Sequence, residues 1–152
     1  MIKRVIGQMP RKFNARTRLL ALCLMMVCAS GSPGFAAGSE IKVTDIRTAS
    51  GISDQYEPVG AAAVFPLGTA KVYCWFQWEN APDGTALKAR WTYLTKKIKI
   101  FEYPVSIPKT AGAGGIAMAM PKGRSLPPGA YRVELLDDKK KPVKSLDFSV
   151  GT

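Results

Sequence analysis

Apolar and polar residues alternate through residues 72–78 and again through 87–93, with the turn-forming Asn80-Ala81-Pro82-Asp83-Gly84 between the two runs. Side chains alternate across a strand, so Val72, Cys74, Phe76 and Trp78 share one face, as do Leu87, Ala89, Trp91 and Tyr93. The pattern predicts a β-hairpin with one buried face. Its outer face carries Lys71, Tyr73, Trp75 and Gln77 on one strand and Lys88, Arg90 and Thr92 on the other. All three tryptophans of the chain lie in this stretch.

Residues 41–48 predict a first strand, and 51–68 read as a Gly/Ala/Pro-punctuated connection holding Val59, Val64 and Phe65. Residues 97–107 predict an extended segment in which Ile98 and Ile100 alternate with Lys97 and Lys99, and Pro104 and Pro108 assign it to a sheet edge. Gly112-Ala113-Gly114-Gly115 reads as a flexible break, after which Ile116, Met118 and Met120 alternate with alanines. A loop around Pro127-Pro128-Gly129 leads to the alternating Tyr131, Val133 and Leu135. Residues 137–141 turn the chain, and Leu146, Phe148 and Val150 close it. Six or seven short strands without a helical stretch predict an all-β, antiparallel β-sandwich.

The first residues follow a different pattern. Lys3, Arg4, Arg11, Lys12, Arg16 and Arg18 precede an apolar run over 19–29, and small residues follow through Ala37. That layout predicts a secretory signal peptide over residues 1–37, cleaved after Ala36 or Ala37, and a mature domain over 38–152 in the periplasm or outside the cell. The apolar run is about half the ~20 residues that a spanning helix needs, so no transmembrane span is expected after cleavage. Lipidation at Cys23 or Cys28 is disfavoured by the bulky Leu22 and Val27 before them. Six of the 22 basic residues and none of the 11 acidic ones lie in this leader, so the formal charge falls from +11 to +5 on its removal. The large positive charge is thus mostly the leader's, and nucleic acid is not an expected partner. The mature chain keeps one cysteine, Cys74, and forms no intrachain disulfide.

At Leu126-Pro-Pro-Gly-Ala-Tyr131-Arg-Val133 the chain resembles immunoglobulin-like domains, in which a tyrosine two residues before an inward position caps a corner. Cys74 and Trp91 look like the core cysteine and tryptophan of that fold, while Val133 stands where its second cysteine would be. The resemblance implies an apolar contact in place of the disulfide. Together with Phe148-Ser149-Val150, these motifs also look like those of small bacterial exported domains of unknown function. That likeness implies no activity.

The chain has no histidine, which removes Ser-His and Cys-His nucleophile pairs, histidine general bases and most zinc or copper(II) sites. Asp137 and Asp138 suit a turn better than an acid/base pair, and Cys74 is expected in the core, so no catalysis and no cofactor are predicted. Met118 and Met120 would point the same way on a strand, as two Cu(I) thioethers would, but no third soft ligand is spaced to join them. Gly112-Ala-Gly-Gly115 lacks the Gly-Lys-Ser/Thr of a phosphate loop. It resembles the glycine loop of chagasin-type cysteine-protease inhibitors, whose other two inhibitory loops have no counterpart here.

The expected binding site is the outer hairpin face of Tyr73, Trp75, Lys88 and Arg90, where aromatics beside cations suit contact with another envelope protein. The competing expectation is that a neighbouring segment within 51–68 covers these aromatics. The alternative module binds anionic lipid or glycan through Lys139, Lys140, Lys141 and Lys144 or through Lys96, Lys97 and Lys99, clusters that equally serve as solvated turns and edge guards.

Overall fold

Ten strands appear in a computed structural model that describes residues 4–5 and 40–151. They are β1 (Arg4–Val5), β2 (Lys42–Ile52), β3 (Pro58–Ala61), β4 (Val64–Phe65), β5 (Lys71–Glu79), β6 (Ala86–Tyr93), β7 (Ile98–Ser106), β8 (Gly112–Ala119), β9 (Gly129–Leu136) and β10 (Pro142–Val150). Seven of them span eight residues or more, longer than the six or seven short strands expected, and β3 and β4 fall within 51–68, which the sequence pattern reads as a connection. A single 3-10 turn, Leu94–Lys96, links β6 to β7, and no α-helix occurs among the described residues.

The strands form two five-stranded sheets, ordered β1-β8-β5-β2-β3 and β4-β10-β9-β6-β7. This all-β, two-sheet arrangement is compatible with a β-sandwich. Every pairing is antiparallel except that of β4 with β10. β7 lies at a sheet edge, where its prolines were expected to put it. The leader expected over 1–37 lies outside the described residues except Arg4–Val5, whose backbone pairs with Gly115 and Ile116 of β8.

The predicted hairpin is corrected. The inward positions are as the alternation implies: Val72, Cys74, Phe76 and Trp78 are buried, as are Leu87, Ala89 and Trp91. However, β5 and β6 lie in different sheets, so these two sets face each other across the core instead of sitting side by side. Alternation specifies which face of a strand is apolar, not which strand pairs with it. Packed sheets stand ~10 Å apart, a gap that the connection over 80–85 crosses. Ala81 anchors that crossing, donating its N–H to the Thr110 carbonyl at 2.9 Å.

The glycine break is corrected too. Gly112, Gly114 and Gly115 are paired residues of β8, in register with Trp78, Phe76 and Trp75. A Cβ on Gly112 would meet the Trp78 ring, and one on Gly115 would collide with Ile52. These glycines provide room for large neighbours.

Trp91 centres the core, with Phe101 6.1 Å away and Phe148 edge-on at 6.0 Å. Its indole N–H finds no acceptor among the described residues. Cys74 and Val133 are also fully buried. Tyr131 stacks on Phe148 at 5.1 Å and donates its hydroxyl to the Pro127 carbonyl at 2.6 Å, tying the start of β9 to the loop before it.

Candidate functional site

A groove of about 1320 Å³ opens on the outer face of the first sheet. Trp75 and Gln77 of β5 line it, together with residues 55–58 and 108–113. It arises because β2 is longer than its pairing with β5. The β2–β5 register ends at Ala49 opposite Tyr73, yet β2 continues to Ile52, paired there with Pro58 of β3. This arm crosses the sheet: Ile52 packs against the space left by Gly115, on the far side of β5 from β2. A tight turn follows, with Tyr56 donating its N–H to Ser53 and Ser53 donating its N–H to Glu57, both at 2.9 Å.

The turn decides the fate of Trp75. Its indole N–H donates to the Tyr56 carbonyl at 2.5 Å, and the side chain keeps only 8% of its surface exposed. The Arg47 guanidinium sits 5.9 Å from its ring centre and is itself held by Asp45 at 2.8 Å. The competing expectation, a covering segment drawn from 51–68, therefore describes Trp75. Tyr73 is half-buried, with the Lys71 ammonium 4.4 Å over its ring.

Lys88 and Arg90 do not join them. Both belong to β6 in the other sheet, so the four-residue face is divided between opposite sides of the molecule. Arg90 is also occupied, 3.1 Å from Glu102 and 3.8 Å from Glu134. The hydrogen bond from Arg90 holds the Glu102 carboxyl below its ordinary range, with Lys99 adding to the effect against a smaller cost of burial.

The groove's charge is not that of the chain as a whole. Asp45 and Arg47 neutralise each other, which leaves Glu57, Glu79 and Asp83 along the groove with Lys109 as their cationic neighbour. Sequence reasoning placed aromatics and cations here; the structure instead provides an acidic rim around a mostly covered indole and Gln77. Glu79 and Asp83 lie at and just past the end of β5, and the folding of the β2–β3 arm brings Glu57 to the same surface.

The remaining candidates fall into place individually. Met118 is buried in the core and Met120 half-buried just past β8. Gly112–Gly115 lie within a strand, so they do not form the loop that an inhibitor resemblance requires. The Cys74 thiol, fully buried, is pushed up to about 12 by desolvation. Asp137 accepts the Lys141 N–H at 2.7 Å and thereby closes the β9–β10 turn. Among the described residues, no three His, Cys, Asp or Glu side chains are grouped to hold a metal ion. Comparison with known protein families and with curated proteins found no match.

Proposed function

We propose that this chain is a non-catalytic, exported binding module that docks another envelope protein through the outer face of its first sheet. The observation that carries this reading is the open groove over Trp75 and Gln77. Its excess of carboxylates suits a partner segment bearing Lys or Arg, and charge complementarity of that kind favours specificity and rapid encounter. Trp75 serves as a support: it fixes the 53–57 turn through Tyr56, and the turn forms part of the contact surface.

Several features support an immunoglobulin-like sandwich of the kind found in small bacterial exported domains. Tyr131 donates to a carbonyl four residues back, and Cys74, Trp91 and Val133 share the core from β5, β6 and β9. Export rests on the basic, apolar and small-residue order of residues 1–37. The non-catalytic reading rests on the lack of histidine and on a buried, protonated Cys74.

The test is a crosslinked pull-down from the cell envelope, comparing the wild type with Glu57→Lys/Glu79→Lys/Asp83→Lys and with Lys139→Glu/Lys141→Glu. Loss of a discrete protein partner in the groove variant alone supports the proposal. Loss only in the lysine variant transfers binding to the β9–β10 turn, and an unchanged partner in both refutes a role for the groove.

A further inference from the structure

We propose that the end of the sandwich away from the groove docks on an anionic lipid surface. Three connecting segments, 62–71, 94–100 and 120–130, meet there. Leu126 donates its N–H to Thr69 at 2.8 Å, and Met120 donates to Ala70 at 2.9 Å. The Ala130 N–H reaches the Thr95 hydroxyl at 2.9 Å, and the Tyr93 hydroxyl donates to Pro128 at 2.7 Å. One end thus gathers the β5 start, the β6–β7 turn and the β8–β9 loop into a connected surface.

Its charge is of one sign. Lys71, Lys96, Lys97, Lys122 and Arg124 lie in these segments, which contain no Asp or Glu. None of these five side chains forms a salt bridge among the described residues. Lys99, by contrast, is tied to Glu102 at 3.4 Å. The lysines of the β9–β10 turn sit at the opposite end of the second sheet, with Asp137 and Asp138 among them.

Exposed large aliphatic side chains flank this end at both edges of the second sheet: Val64 on β4 is 56% exposed, Leu67 just after it 69%, and Ile98 on β7 52%. A soluble polyanion would engage the cations and leave these side chains in water. An apolar protein surface would bury them while desolvating cations that have no carboxylate partner among the described residues. A bilayer with anionic headgroups takes both, with the aliphatics entering the acyl boundary and the long cationic side chains remaining among the phosphates. This surface is separate from the groove, so either proposal stands if the other fails.

The test uses NMR of the full chain with nanodiscs carrying a paramagnetic lipid, read amide by amide so that the leader's own affinity for lipid does not confuse the result. In anionic nanodiscs the amides of Leu67, Gly68, 96–99 and 122–124 should broaden, while those of Ala81, Asp83, Gly84 and 138–141 should not. Lys96→Gln/Lys97→Gln/Lys122→Gln/Arg124→Gln should raise the lipid concentration needed by about a few hundred-fold, because each near-surface cation accounts for about fivefold. Leu67→Ser should also weaken it. Broadening confined to residues before 40, broadening centred on 138–141, equal broadening on zwitterionic nanodiscs, or complete competition by a soluble polyanion with no effect of Leu67→Ser would each overturn the proposal.

Discussion

Trp91 is fully buried between Phe101 and Phe148, yet its indole N–H has no acceptor among the described residues. Two opposing effects therefore meet at one side chain. Truncation to Ala removes the packing and leaves a cavity, a loss of about 3–5 kcal/mol for a large buried aromatic. An unpaired buried donor, however, costs ~1–3 kcal/mol, and Trp91→Phe removes that donor while keeping an aromatic ring in place. The smaller ring forfeits ~1–2 kcal/mol of burial, so Trp91→Phe should change stability by less than about 1 kcal/mol. Trp78 provides the contrast, because its indole N–H donates to the Lys109 carbonyl at 3.0 Å. Trp78→Phe loses burial and a hydrogen bond together and should cost ~2–3 kcal/mol. Urea unfolding followed by far-UV circular dichroism separates the three variants. At a slope of ~1.5 kcal/mol/M, Trp91→Ala should move the midpoint by ~2–3 M and Trp91→Phe by well under 1 M. A Trp91→Phe loss as large as that of Trp78→Phe would falsify the account of an unpaired indole.

Three further outcomes follow from the same structure. With its thiol pushed up to about 12 and no exposure, Cys74 should resist an aromatic disulfide reagent at neutral pH in the folded domain and react on unfolding in urea. Asp147 is held below its ordinary value of 3.8 by a hydrogen bond from Arg132, so its small contribution is present above that range and lost as pH falls through the folded-state value. Asp147→Asn should abolish that part of the acid dependence in pH-dependent melting, and an unchanged profile would show the pair contributes nothing. Gly115→Val should destabilise the domain by ~1–3 kcal/mol, because the added side chain collides with Ile52 where the β2–β3 arm crosses the sheet; an unchanged urea midpoint would mean that the arm does not rest there.

The candidate site was only partly legible beforehand. Cation-rich, acid-free stretches around Lys71, Lys96, Lys97, Lys122 and Arg124 are visible in the sequence, but their union depends on bonds such as those from Leu126 to Thr69 and Ala130 to Thr95. The face of Tyr73, Trp75, Lys88 and Arg90 failed for a specific reason. Turn residues at 80–84 suggested a hairpin, whereas the same spacing also permits a crossing between sheets.

By itself the sequence determined the all-β character and the inward side of β5, β6, β9 and β10, because side-chain alternation is a local property with a period of two; Ile98 and Ile100 of β7 alternate with lysines yet are exposed at the sheet edge. It also determined Trp91, Cys74, Val133 and Tyr131 as core positions. Only the tertiary structure decided that β5 and β6 face each other, that Gly112–Gly115 belong to a strand and that the β2–β3 arm covers Trp75. Each of these depends on which distant segment a strand or glycine meets. Alternation carries no information about that choice, which the packing of Trp78, Ile52 and Tyr56 against their neighbours makes.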